Sequence, residues 1–181
     1  MKTTLTLVAF ALLIPAAAVA QDGRLNLSFL DRLADRASEK QVIDIPAEML
    51  RGASGFVPST SPNAEAAKQV LALLQGVYVR SLEFDDPKAY SLDDIAMIRK
   101  QLSSPGWSKI VSNEEKDRSG NWELQEVYLF QQGGKINGIF VLNAEPGELQ
   151  VVNIVGPIDF EKLAALGGVL GIPRNIGNSV R

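Results

Sequence analysis

Four strand-like runs follow one another at roughly residues 107–113, 122–132, 135–143 and 149–155. The links between them are a charged stretch at 114–121 containing Ser119-Gly120, the pair Gly133-Gly134, and 144–148 with Pro146-Gly147. Gly-Gly between two β patterns is a strong hairpin signal. A parallel crossover needs about a dozen residues or more, so these links confine the four runs to an antiparallel meander. The last run is apolar on both sides: Leu149, Val151 and Val155 point one way, Val152 and Ile154 the other. Such a strand lies centrally, or between the helices and another packed element. Gly156-Pro157 ends it, and Asp159 reads as the N-cap of a helical pattern at 159–166.

Upstream, 41–45 alternates like a short strand and 77–84 like another. Helical spacing of apolar residues marks 25–38, 64–75 (stopped by Gly76) and 92–102, capped by Ser91 and ended at Pro105-Gly106. Pro46 starts a turn of helix over 47–51, and the Gly-, Ser- and Pro-bearing stretch 52–62 reads as a loop. Together these elements predict an α+β fold: an antiparallel meander of about four to five strands packed on one face by helices, a two-layer sandwich. The chain divides into a leader at 1–20, an N-terminal helical segment and loop at 21–62, an α+β core domain at 63–166 and a flexible tail at 167–181.

The leader begins with Lys2, continues through apolar residues from Leu5 to Leu13 and ends Ala18-Val19-Ala20. A basic start, a short apolar centre and an Ala-x-Ala ending predict a secretory signal peptide, hence export to the periplasm or beyond. Its apolar run, interrupted by Pro15, falls short of the roughly 20 residues that span a bilayer, and no later run reaches that length. Removing Lys2 with the leader takes the net charge from −3 to −4, which speaks against nucleic acid as a partner.

The chain has no histidine and no cysteine. Ser-His-Asp, Cys-His and zinc-His chemistry are thereby excluded, along with disulfides. Carboxylate chemistry, Ser-Lys nucleophiles and oxygen-ligand calcium sites remain open, and no cofactor motif is present.

The segments "LQGVYVRSLEF", "IRKQL" leading to "GWSKIV", and "EVYLFQQGGKINGIFVLNAEPGELQVVNIVGPIDFEKLAAL" occur in that order. In this order and spacing the chain resembles the DUF4252 family of exported bacterial proteins over roughly residues 28–166. The resemblance implies an exported α+β domain and brings no activity with it. Lipid-anchored members carry a cysteine that this chain lacks.

Two candidate sites stand out. Asp85, Asp86, Asp93 and Asp94 bring four carboxylates into ten residues. They read either as a calcium site or, on capping chemistry, as a turn followed by the first turn of a helix. Trp107, Trp122 and Tyr128 would form an interaction patch if they lay on a sheet face away from the helices. The function favoured is a non-enzymatic envelope protein that binds a protein partner. The alternatives are a carrier of an apolar small molecule and a carboxylate-based hydrolase, for which no paired acids are visible.

Overall fold

The computed structural model describes residues 22–55, 64–116 and 122–159. The expected leader, the helix at 159–166 that Asp159 would cap, the C-terminal tail and most of the 52–62 loop lie outside the described residues. One antiparallel sheet of six strands organises the rest, in the order β1-β2-β6-β5-β4-β3. Its strands are β1 (Glu39–Pro46), β2 (Gly76–Glu83), β3 (Trp107–Lys116), β4 (Trp122–Gln132), β5 (Lys135–Glu145) and β6 (Glu148–Val155). The expected meander is β3 to β6. The sheet exceeds the expected four to five strands because β2 pairs with β6, a contact between residues far apart in sequence, and carries β1 on its outer side.

Four α-helices stand among the described residues: α1 (Asp31–Ala34), α2 (Ala47–Ser54), α3 (Ala64–Leu73) and α4 (Leu92–Leu102). The helix expected over 25–38 shrinks to the 3-10 turn Ser28–Leu30 and the single turn α1, because the chain enters β1 at Glu39. Conversely, α2 runs on through Gly52 to Ser54, into the expected loop. Residues 25–50, set apart from the core in the sequence reading, supply one strand and parts of both cores.

Helices cover both faces of the sheet. On one face, Leu30 and Leu33 of the N-terminal turns and Ile95, Ile98 and Leu102 of α4 pack on Leu82, Tyr128, Phe140, Leu142, Leu149 and Val151. On the other, Leu50 of α2 and Val70 and Leu71 of α3 pack on Val77, Val79, Val127, Val141, Val152 and Ile154. The expected single helical layer is therefore corrected to two. The physical reason is the two-sided apolar character of β6: Leu149 and Val151 need one cover, Val152 and Ile154 another.

Local chemistry sets the joints. Both Gly133 (φ +60°) and Gly134 (φ +74°) hold positive φ, as a two-residue hairpin demands. Gly156 leaves β6 at φ +124°, and a Cβ there would sit 2.9 Å from both the Gln75 nitrogen and Leu74 Cα. The end of α3 thus crosses directly over the strand exit, where the Gln75 N–H donates to the Val155 carbonyl at 2.7 Å. Asn153, fully buried, accepts from the Leu25 N–H at 2.9 Å and donates to the Gly23 carbonyl at 3.1 Å. That one amide pins the N-terminal strap to the middle of the sheet.

Candidate functional site

Read across the strands, the α2/α3 face of the sheet falls into four rows. The first is Ile45, Val77, Ile154, Ile139 and Leu129, and the second Ile43, Val79, Val152, Val141, Val127 and Val111. These apolar rows lie under the helices. The third row is Gln41, Ser81, Gln150, Asn143, Gln125 and Asn113, one polar residue from every strand. The fourth is made of glutamates. Glu39 pairs with Glu83, Glu83 with Glu148, Glu148 with Glu145, and Glu123 with Glu115. Glu123 and Glu145 flank the last β4–β5 pair, Leu124–Ala144, and so join the two parts.

Every strand therefore places a glutamate, and two residues away a Gln, Asn or Ser, at the same end of the same face. Both polar rows lie beyond the apolar residues that α2 and α3 cover. A shallow cavity of about 380 Å³ runs between them, lined by Asn113, Glu115, Glu123, Asn143, Glu145 and Glu148 among others. Asn143 donates to Gln150 Oε1 at 3.2 Å, while its own Oδ1 is buried and accepts no hydrogen bond among the described residues. Adjacent strands lie about 4.8 Å apart, so the carboxylates face like charges at close range. Among the described residues none of the six is ion-paired. The effect shows at Glu148, where partial burial, a hydrogen bond with Glu145 and the charges of Glu145 and Glu83 raise the pKa above the ordinary carboxylate value. Beneath the β5–β6 turn, the Tyr90 hydroxyl lies within hydrogen-bonding reach of the Glu145 and Glu148 carbonyls and holds that pair in place.

The opposite face treats its acid differently. Glu126, fully buried, receives two bonds from Arg99 (3.1 and 3.0 Å), one from Lys109 Nζ at 2.5 Å and one from the Tyr128 hydroxyl at 2.8 Å. Burial alone raises the Glu126 pKa, yet the hydrogen bonds from Arg99, Lys109 and Tyr128 outweigh it and lower the value overall. Arg80, also buried, makes a bidentate pair with Asp44 at 2.8 and 3.1 Å and lies 3.5 Å from Asp31. It lines a second cavity of about 480 Å³ with Arg24, whose guanidinium stacks 4.4 Å above the Tyr78 ring. Both buried charges are neutralised in place.

The structure does not assemble Trp107, Trp122 and Tyr128 into one exposed patch. All three lie on the helix-covered α1/α4 side. Trp107 packs on Phe130 with ring centroids 5.3 Å apart, and Trp122 sits edge-on to Tyr90 at 5.8 Å, at the other end of β4. Tyr128 is buried between them. The acidic cluster divides as capping chemistry dictates. Asp94 Oδ2 accepts from the Ser91 backbone N–H at 2.9 Å, closing a capping box at the start of α4, and Asp94 Oδ1 takes Arg32 at 2.7 Å. Asp86 Oδ1 accepts from the Lys88 N–H in the preceding turn. Among the described residues no group of three acidic side chains is placed to hold a metal ion.

The family model described as a domain of unknown function, DUF4252, matches residues 35–166. The chain belongs to that family. The match takes in all six strands and begins within the turn that precedes β1, so the β1–β2 pairing is part of the DUF4252 domain. A search of the curated proteins finds no match.

Proposed function

We propose that this DUF4252 protein is an exported, non-enzymatic envelope protein that binds a protein partner through the polar half of its α2/α3 sheet face. The observation that carries the reading is the position of the helices: α2 and α3 cover the two apolar rows, and among the described residues no helix lies over the two polar rows. A broad, regular surface built from all six strands suits a macromolecule better than a small molecule. The cavity along this half-face is lined largely by carboxylate and amide side chains, which suits an apolar cargo poorly. Export rests on the leader, and no helix among the described residues is long and apolar enough to cross a membrane.

A photo-crosslinking residue at Gln150, in the polar half-face, should trap a protein adduct in cells, whereas the same residue at Lys100 on α4 should trap none. Equal adducts at both positions, or an adduct at Lys100 alone, would overturn the assignment. Mass spectrometry of the mature chain tests export, with Gln21 as the expected first residue.

A further inference from the structure

We infer that the occupant of the half-face is a cationic protein segment, one carrying several Lys or Arg side chains and lying across the strands along the glutamate row. This inference rests on the reading that the half-face is a docking surface, and adds the chemistry of what docks. Its basis is charge complementarity on a part of the sheet face that no helix among the described residues covers. Six carboxylates stand in register on six strands, over a span of about 24 Å at ordinary strand spacing. Like charges directly opposite one another destabilise a sheet. The chain compensates its two buried charges, Glu126 and Arg80, with partners of its own, yet among the described residues it supplies no cation to this row.

Other occupants fit poorly. A second copy docking face to face would set one acidic row against another. Nucleic acid and anionic lipid are repelled by the same field. A single divalent cation needs several carboxylate oxygens converging on one point, and the row spreads its acids out in a line. Lys and Arg side chains need only one carboxylate each, so a line of acids matches a line of cations. The neighbouring row of Gln, Asn and Ser offers hydrogen bonds to the backbone of the same segment.

The test uses the full mature chain and a fluorescent octalysine peptide, followed by anisotropy at low and at physiological salt. The parent should bind with an affinity that falls as salt rises, because exposed ion pairs are screened. Glu83→Gln/Glu145→Gln/Glu148→Gln should weaken binding about tenfold. A control triple with equal charge loss elsewhere, Asp35→Asn/Glu48→Gln/Glu65→Gln, should bind as the parent does. Equal loss in both triples would overturn the inference in favour of net charge alone, and so would unchanged binding in the first. Displacement of the peptide by micromolar calcium, with a rise in Tm, would overturn it in favour of a metal site. If the adduct at Gln150 persists in cells with the Glu→Gln triple, the docking surface stands and only its charge reading falls; if no adduct forms in the parent, the surface itself falls.

Discussion

Glu126 and Glu148 lie on opposite faces of one sheet, on β4 and β6, and the chain handles them in opposite ways. Around Glu126 it gathers Arg99, Lys109 and Tyr128, and the carboxylate pKa falls. Around Glu148 it places Glu83 and Glu145, and the pKa rises. Solvent access explains why the fold tolerates both. A fully buried carboxylate without partners is prohibitively costly, whereas a carboxylate at an open edge can hydrate and shed part of its repulsion into water. The contrast separates two uses of charge: Glu126 is spent on holding α4 and β3 to the sheet, while the glutamate row keeps its charge unspent.

The contrast breaks most sharply at Glu126. Glu126→Gln leaves two partly exposed cations facing a neutral amide and should cost about 3 kcal/mol in urea denaturation, the low end for loss of one partner of a buried ion pair because both cations can rehydrate. A cost under 1 kcal/mol would show that the cluster is hydrated. Gly156→Val is a control free of electrostatics. The positive φ alone should cost about 1–3 kcal/mol, with the contact against Leu74 and Gln75 added to it, and the loss should not change with salt. Asp94→Ala removes one half of the Ser91 capping box and the Arg32 pair, and should cost about 1 kcal/mol.

Glu148→Gln is the smallest effect and has the opposite sign, a gain of about 0.2–1 kcal/mol at pH 7. Its pH dependence sharpens the comparison. A raised pKa means that the folded chain keeps a proton the unfolded chain releases, so the parent loses stability as pH rises from about 4.3 through the folded value. Glu148→Gln should remove that loss, and its advantage should vanish at pH 4. Glu126 runs the other way: its contribution is present above the ordinary carboxylate value and is lost as pH falls through the lowered folded value. Denaturation midpoints from pH 3 to 8 for the parent and both variants separate the two slopes.

The meander was legible because its turns are local: Gly133-Gly134 and Pro146-Gly147 state the connection within a few residues. The two helical layers were half legible in β6, whose apolar residues point both ways, but only the contacts of Leu50 and Val70 show what lies on the second side. Glu126 leaves a weak signal in the sequence, a lone acid in the run Glu126-Val127-Tyr128-Leu129-Phe130, where a buried charge needs partners that only the fold brings together. The glutamate row left a fainter one. Glu39-x-Gln41, Ser81-x-Glu83, Asn113-x-Glu115, Glu123-x-Gln125, Asn143-x-Glu145 and Glu148-x-Gln150 each put an acid and a polar residue on one side of a strand. Their alignment depends on the β2–β6 pairing, which no local rule specifies. The aromatic patch failed for a related reason: Trp107 and Trp122 both lie on the α1/α4 side of the sheet, but at opposite ends of β4.

The four-row pattern also makes the acidic surface a report on the pairing that builds it. Side chains alternate along each strand, so sliding β6 by one residue against β5 would turn Glu148 and Gln150 to the opposite face and bring their apolar neighbours Leu149 and Val151 out in their place. The row would lose its continuity at the centre while the chain kept its composition and net charge. A partner that depends on six carboxylates in line would in effect inspect the register of the whole sheet before engaging, and chains folded out of register would be passed over.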